Sequence, residues 1–461
     1  MMKQPFTDTV AALSTPPGKG GVAVIRVCGE NAIEVVEKHF KARSGAPLSS
    51  IPSRLATYGD FFFRGDLVDD ILLTVFRAPH SYTGEDTVEL SCHGSMLICR
   101  TVLEALYADG ARPAERGEFT KRAFLAGKIK LSEAEAIAEL LDAKSHTQLK
   151  LFQRDSRSHL SAALSALYEG ISSLLSAVYA KVDYPDEDLA ELSREEMVAR
   201  LSSLMEDTAR LSATYRTGRA MTEGIRTVLL GKPNTGKSSL YNLLLGKDAA
   251  IVTEYEGTTR DVLEESVTLG RVLLRLADTA GVRDADNPVE KIGVERSKEM
   301  AKSADLLFVL FDTSRPFDGE DEALLDLVNS CDGVKIAILN KRDLPPLWTE
   351  ACLLGAFHHI LPFSTKKDAT LSLAALVEEI FTDGNLTPGE DAIVFTARQS
   401  HALQTARELM ENARRALAEG FPEDAALCEL ESAAAALAES DGRAVSEDVV
   451  SGIFAKFCVG K

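Results

Sequence analysis

The sequence predicts a multidomain chain: an α+β segment at the N-terminus, an all-α segment, and a parallel α/β segment inserted into the helices. Up to about residue 120, β-like runs such as Val22–Val27 and Ile71–Phe76 alternate with Gly/Pro turns, the texture of strands joined by tight connections. From Ser132 the apolar residues recur at helical spacing, and Ser132 with Glu135 and Ser193 with Glu196 are expected capping boxes. In such a box the hydroxyl and the carboxylate satisfy otherwise unpaired N–H groups of the first helical turn. Beyond Ile225 the runs Thr227–Leu230, Val272–Leu276, Leu306–Phe311, Ile336–Leu339 and Ile360–Phe363 alternate with helical stretches, which is the rhythm of a parallel sheet built from βαβ units. After Gly384 the helical texture returns and runs to Lys461. Two helical stretches around one α/β stretch are most simply a helical body carrying an insertion, a solution tolerated where the host's chain ends lie close together. Gly218 and Gly384–Pro388 are the expected junctions, and the expected segments are residues 1–120, 121–217, 218–383 and 384–461.

Composition excludes several function classes. With 45% hydrophobic and 26% charged residues the chain can bury several cores, but no apolar run reaches the roughly 18 residues of a membrane helix. Met1–Val10 has no secretory pattern, so a cytoplasmic protein is expected. A net charge of −19 opposes sequence-independent binding of nucleic acid, so such a partner would need a local basic patch or a second protein. Arg112, Arg116, Lys121, Arg122, Lys128 and Lys130 stand against only Glu115 and Glu118; a solvated face is the expected role of this stretch, with RNA phosphates the alternative. The seven cysteines form no CxxC pair, which argues against structural zinc and against a disulfide framework.

The α/β segment carries the most specific signal. Gly231-Lys-Pro-Asn-Thr-Gly-Lys-Ser238 fits GxxxxGK[ST] between a predicted strand and a predicted helix, where backbone N–H groups can cradle phosphates. Asn234, Thr235, Gly236, Lys237, Ser238 and Ser239 are therefore expected at a nucleotide, with Lys237 on the β- and γ-phosphates and Ser238 on Mg²⁺. Asp278, Thr279, Ala280 and Gly281 end a strand and are expected near the metal shell and the γ-phosphate. Asn340, Lys341 and Asp343 follow another strand, and an aspartate there accepts the N1 and N2 donors of guanine, a pair adenine lacks. Ser364, Thr365 and Lys366 would close over the base, and Gly257–Asp261 lies where a switch threonine belongs. The order of these motifs is similar to that of the translation-factor-related GTPases, which implies a Ras-like α/β P-loop G domain and GTP with Mg²⁺ as ligands. Val282 follows the Asp278–Gly281 motif where Ras-like enzymes carry a water-positioning Gln. Another group must supply that role; Asn234 and the acidic residues after Asp278 are the candidates.

The whole chain from Thr7 to Lys461 resembles the MnmE (TrmE) family. The resemblance rests on Thr15-Pro-Pro-Gly-Lys-Gly-Gly-Val-Ala-Val-Ile-Arg26, Ser81-Tyr-Thr-Gly-Glu-Asp-Thr-Val-Glu89, His93-Gly94, Gly117-Glu-Phe-Thr-Lys-Arg-Ala-Phe124, Asp183-Tyr-Pro185 and Phe457-Cys-Val-Gly-Lys461; the family tail usually has Ile at Val459. It implies a homodimer whose N-terminal domain binds tetrahydrofolate and dimerises, followed by a helical domain with an inserted G domain. It further implies a potassium-activated GTPase that works with the flavin-using partner MnmG (GidA), in a heterotetrameric-type complex. The product would be an aminomethyl or carboxymethylaminomethyl group on C5 of the wobble uridine of certain tRNAs, its one-carbon unit drawn from formyl- or methylene-tetrahydrofolate.

Residue by residue, the resemblance places a potassium ion at Asn234, Thr253, Tyr255 and Thr258, and the Mg²⁺ switch threonine at Thr259. It places the water-orienting carboxylate at Glu290, although Asp284, Asp286 and Glu295 lie nearby and spacing alone does not choose among them. It places the folate pocket at Arg26, Glu89, Lys128 and Lys461, chemically sensible because a carboxylate matches the donor edge of a pterin and cations match its carbonyls and glutamyl tail. Cys458 would be a reactive thiol near the one-carbon donor. The competing function is an RNA- or ribosome-associated regulatory GTPase switch without modification chemistry, which has no need of the N-terminal motif set.

Overall fold

The computed structural model describes residues 7–183, 192–248, 264–277, 299–353, 355–366, 368, 370–443 and 447–461. The chain forms two compact units, one of residues 1–141 with 434–461 and one of residues 142–433.

The first unit is built on a seven-stranded sheet: β1 (Thr9–Leu13), β2 (Val22–Cys28), β3 (Phe40–Ala42), β4 (Ala56–Phe63), β5 (Asp66–Phe76), β6 (Thr87–His93) and β7 (Ala111–Pro113), in the order β3-β4-β5-β6-β2-β1-β7. Only the β1–β7 pair is parallel. Strands β5 and β6 alternate buried and more open positions, as a largely one-sided sheet requires, whereas β1 is buried at four consecutive positions because Val10 and Ala12 pack with Phe119 on the other face. Ile25, Val27, Leu73, Val75, Val88 and Leu90 point into a core closed by α1 (Ala32–Glu37) and α2 (Met96–Ala108), while Arg26 and Glu89 stand on the other face, directly paired across β2 and β6. Helices α3 (Glu118–Leu125) and α4 (Leu131–Leu141) follow. At α4 the expected capping box is displaced: the helix already begins at Leu131, Ser132 is buried with its hydroxyl unpartnered, and Glu133 accepts from the Lys130 N–H. The box was read two residues too late because Ser132 and Glu135 have the right spacing but the wrong phase.

The second unit opens with α5 (His146–Leu151), α6 (Arg154–Asp183), α7 (Arg194–Ala213) and α8 (Tyr215–Thr222). The capping box predicted at Ser193 and Glu196 is present on α7. Ser158–Ala180 of α6 is, contrary to the sequence reading, long and apolar enough by length and composition to cross a membrane. Its buried residues Leu160, Leu164, Leu167, Ile171, Leu174 and Val178 nevertheless recur every three or four positions, which is the one-sided stripe of a helix packed in a bundle.

The α/β part comprises β8 (Ile225–Gly231), α9 (Lys237–Asp248), β9 (Glu264–Leu269), β10 (Val272–Ala277), β11 (Leu306–Asp312), α10 (Gly319–Asn329), β12 (Val334–Asn340), β13 (His359–Pro362) and α11 (Leu371–Phe381), with strand order β13-β12-β11-β8-β10-β9. All five predicted strands are present, and β11 is buried along its whole length, as a strand covered on both faces must be. β9 escaped prediction; it is an edge strand running antiparallel to β10, and Glu264, Glu265 and Ser266 dilute its apolar pattern. Neighbours β10 and β11 flank β8, so the loop after β8 lies at the switch point where ligands of open parallel sheets bind. Beyond α11 the chain returns to helices α12 (Ala397–Ala418), α13 (Leu427–Asp441) and α14 (Glu447–Phe454).

The chain enters and leaves the α/β part side by side. The Thr214 hydroxyl accepts the Val394 N–H, and the Thr217 hydroxyl accepts the Asp383 N–H. Gly218 lies within α8 rather than in a loop, and a Cβ there would stand 2.0 Å from the Val394 carbonyl oxygen. This glycine marks a close approach of two backbones at the junction.

Candidate functional sites

The first site forms at the C-terminal ends of β8, β12 and β13. Asn234 takes a left-handed backbone (φ 64) in the loop after β8. The Lys237 ammonium folds back on that loop, donating to the carbonyls of Gly231 (2.5 Å) and Lys232 (2.8 Å), and the Thr235 hydroxyl also donates to Lys232 O. The loop thus curls around its own lysine. Asn340 couples it to the base-side loops: its amide donates to Thr235 O at 2.7 Å and its carbonyl accepts the Thr365 N–H at 3.0 Å. The Ser364 hydroxyl donates to the Asp343 carboxylate at 3.0 Å, which fixes that carboxylate against the last loop. The structure therefore brings Asn234, Thr235, Gly236, Lys237, Ser238 and Ser239 together with Asn340, Lys341, Asp343, Ser364, Thr365 and Lys366. Thr253, Tyr255, Thr258, Thr259, Asp278, Thr279, Ala280, Gly281 and Glu290 lie outside the described residues.

Three ion pairs around this site have no counterpart in the sequence reading. Lys232 is held by Asp318 and Asp321, the capping-box acids of α10, at 2.9 and 2.7 Å. Burial alone would lower the Lys232 pKa, but hydrogen bonds to Asp321 and Asp318 outweigh it and raise the value. Lys341, itself left-handed (φ 63), donates to Asp312 at the end of β11. Burial there is likewise outweighed, by bonds from Lys341 and Ser314, so that the Asp312 carboxyl stays below its ordinary range. The sequence signal for Asp312 was available, an apolar strand ending in Asp-Thr-Ser. Asp318 and Asp321 offered none beyond a helix start.

The second site lies on the open face of the N-terminal sheet. Arg26 and Glu89 form a hydrogen-bonded pair at 2.8 Å, and the guanidinium stands over the rings of Tyr82 (5.7 Å) and Phe119 (5.4 Å). The chain's last residues dock beside them. Lys461 O accepts the Phe119 N–H, Cys458 O accepts the Gly117 N–H, and the Ser14 hydroxyl donates to Gly460 O. Gly460 is required here: its φ is 97, and a Cβ would stand 2.0 Å from Leu13 O. Lys461 is brought close enough to Arg26 and Cys458 to feel both; burial, then the Arg26 charge, lowers its pKa, with Cys458 opposing. Lys128 packs its chain on Gly84, across from the same loop as Tyr82. Cys458 is exposed, whereas burial pushes the Cys28 thiol up to about 12, so of these two thiols Cys458 is the one open to chemistry.

Beneath this pocket the basic stretch 112–130 is split: Arg116, Lys128 and Lys130 are exposed, as a solvated face requires, but Arg122 is not. Arg122 is fully buried and bonds Glu118, Glu85 and Asp8, while Arg112 bridges Glu118 and Asp8. The Arg122 guanidinium is thus withdrawn from solvent, whereas that of Arg112 stays 40% exposed. Besides the neighbouring Glu118, two acids distant in sequence, Asp8 and Glu85, hold them, and charge counting along one segment cannot see those two. Tyr82 and Phe119 were also missed as pocket residues; both lay inside the motifs that suggested the family.

The N-terminus of GTP-binding protein TrmE matches as a family over residues 9–128, and the MnmE helical domain over residues 131–458. The chain is 38% identical over 460 residues to the tRNA modification GTPase MnmE of Carboxydothermus hydrogenoformans, covering 98% of this chain and 99% of that one. It is 40% identical over 463 residues to that of Moorella thermoacetica, with the same coverage. Among solved structures it is similar to the G domain of the T. maritima FeoB iron transporter, at 24% identity over 34% of this chain and 96% of that one, with a TM-score of 0.25. Full-length similarity, the two family matches and the two sites on one chain lead to one conclusion: the chain belongs to the tRNA modification GTPase MnmE (TrmE) family.

Proposed function

We propose that the chain is a GTP hydrolase in which turnover is activated by potassium and serves tRNA modification. In this reading it acts as a homodimer with MnmG, installing an aminomethyl-type group on C5 of a wobble uridine with a tetrahydrofolate one-carbon unit, in the cytoplasm. The proposed domains are residues 1–120, 121–217, 218–383 and 384–461.

The observation that carries the reading is that Asn340 ties the phosphate loop to Ser364–Thr365, with Asp343 held by Ser364. One rigid frame thus presents backbone N–H groups to phosphates and a fixed acceptor to a guanine edge. Lys237 rests on the carbonyls of Gly231 and Lys232, and in this reading its ammonium exchanges these carbonyls for phosphate oxygens when nucleotide binds. Ser238 and Thr259 are the proposed Mg²⁺ ligands, and Asn234 with Thr253, Tyr255 and Thr258 the proposed potassium ligands. A monovalent cation there would supply the charge neutralisation that an arginine finger provides in other GTPases. Glu290 is the proposed water-orienting group in place of the Gln absent at Val282.

In the N-terminal pocket, the proposed roles follow from charge and shape. Glu89 offers an acceptor edge, Arg26 and Lys128 offer cations, Tyr82 and Phe119 offer apolar walls, and the docked tail adds Lys461 and exposed Cys458. The test is hydrolysis in potassium against sodium buffer, with calorimetry of formyl-tetrahydrofolate in parallel. The expected result is turnover that rises in potassium and loses this rise in Asn234→Ala, with folate binding that Arg26→Ala abolishes. Equal rates in both salts would reject the potassium site, and an unchanged Arg26→Ala titration would reject the pocket.

A further inference from the structure

The β9–β10 hairpin joins two motif segments in sequence. β9 starts at Glu264, just after Gly257–Asp261, and β10 ends at Ala277, next to Asp278. Its tip, however, bonds to the far side of the α/β part. The Arg271 N–H and Nε donate to the two oxygens of Glu378 on α11, at 2.8 and 3.1 Å, and Nη1 donates to Leu386 O at 2.9 Å in the strand of chain that leaves the α/β part. The turn fits only glycine at its tip: Gly270 has φ 63, and a Cβ would stand 1.9 Å from the Glu378 carboxylate. Arg271 and Glu378 are each about one quarter exposed, enough shielding for a forked guanidinium to be held in one geometry.

The contacts continue into the helices. Arg216 of α8 donates to Ile380 O, two residues beyond Glu378, and Thr217 accepts the Asp383 N–H. The buried Gln148 side chain of α5 donates to Met221 O and Thr222 O at the other end of α8. A second strut is independent of the first: the Lys144 ammonium, in the loop before α5, donates to the Ser266 hydroxyl on β9. The edge of the hairpin is thus fastened to the loop before α5, and its tip to α11 and the chain that leaves the α/β part.

We infer that this hairpin transmits the nucleotide state to the helical part, with Arg271 and Glu378 as the positioning residues that couple it to the chain leaving the α/β part. The inference rests on the GTPase reading above. Among the described residues, the hydrogen bonds of Arg271 and Glu378 go to one another and to Leu386 O rather than to the phosphate loop or the base-side loops, which suits coupling rather than binding. A rigid hairpin whose strands lead to both motif segments cannot shift at one end without loading the bonds at the other. A coupled pair is recognised by its effect on a difference between states, not by proximity.

The test is hydrogen exchange of the Asp383 and Val394 amides in the full chain, with GDP and with a non-hydrolysable GTP analogue, nucleotide affinity being measured alongside. In the unaltered protein the two nucleotides should give exchange rates differing by about tenfold, the size of a modest coupling. Arg271→Ala should reduce that difference to within about twofold, at unchanged affinity for both nucleotides. Glu378→Gln, which keeps the side-chain shape, should do the same and guards against a folding defect in the first variant. A purely structural role would speed exchange equally in both states and preserve the difference, and that result overturns the inference. So does an unaltered protein that binds both nucleotides and exchanges alike in each. Absence of guanine-nucleotide binding would instead overturn the GTPase reading, and the inference with it.

Discussion

The two sites are built by different rules. In the nucleotide site each functional residue sits within a few positions of a strand end, and the sheet's parallel order delivers those ends to one edge. Backbone groups do most of the work, so the spacing of Gly, Lys, Asn and Asp encodes the geometry directly. In the N-terminal pocket Arg26 meets Glu89 through strand register, Phe119 arrives on a helix and Lys461 on a docked tail. Here side chains do the work, and their meeting depends on a whole unit folding. A backbone-built site survives as a motif, whereas a side-chain-built site is visible only once the topology is known.

The strongest way to break this contrast is to remove the buried guanidinium under the pocket. Arg122→Met leaves Glu85 without its guanidinium, and Glu118 and Asp8 with Arg112 alone, and should destabilise the first unit by about 3–5 kcal/mol, the cost of removing one partner of a buried ion pair. Hydrogen exchange in β1 and α3 reads this loss. Trp348, the single tryptophan, packs on Phe311 and Phe317 in the second unit, so its fluorescence transition should stay in place. A matching shift of the Trp348 transition would show that the units are not energetically separate.

The next effect belongs to the base. Asp343→Asn replaces a charged acceptor and should lower the preference for GTP over xanthosine triphosphate by about 10²-fold, given about 1.5–3 kcal/mol for a bond to a charged group. Competition binding measures it, and an unchanged ranking would detach Asp343 from the guanine edge. Smaller again is Gly460→Ala. Forcing a Cβ toward Leu13 O at positive φ should cost about 1–3 kcal/mol, freeing the tail without touching nucleotide turnover. Protection of the Phe119 amide, bonded to Lys461 O, should fall; retained protection would mean that the tail tolerates the side chain.

The smallest effect is one of pH. Burial raises the Glu118 pKa, but bonds from Arg112, the Glu115 N–H and Arg122 outweigh it and hold the carboxyl below its ordinary 4.5. A depressed carboxylate stabilises fully above the unfolded value and loses that contribution as pH falls through the folded one. The first unit should therefore weaken progressively below about pH 4.5, and Glu118→Gln should flatten that slope in an acid titration followed by circular dichroism. An equal slope in the variant would assign acid lability to other groups.

The legibility of the sequence followed the same division. The five strands of the α/β part declared themselves because parallel strands covered on both faces are continuous apolar runs. Ser193 and Glu196 were read correctly as a capping box because the signal is confined to four residues. Ser132 and Glu135 carried the same signal and misled, since what fixes the start of α4 is the burial of Leu131 in a core shared with Val450 and Phe454. Arg122 looks solvent-facing in sequence because, beyond the neighbouring Glu118, its partners Glu85 and Asp8 lie 37 and 114 residues away. Lys232 is a case between the two: its place in the phosphate loop was plain, but its partners Asp318 and Asp321 come from a helix that only the sheet order brings near.

The docked tail also sets an order of events during synthesis. Residues 142–433 separate the two parts of the first unit. At ribosomal rates of about 5–20 residues per second, those intervening residues take about 15–60 s to emerge. Throughout that interval the N-terminal sheet waits without α14 and the tail that covers Leu13, Phe119 and Leu131, while the whole second unit can fold. The nucleotide-binding half is thus finished first on a nascent chain, and the pocket closes last. A chain terminated between residues 384 and 433 would carry the whole phosphate loop and its sheet but no completed pocket.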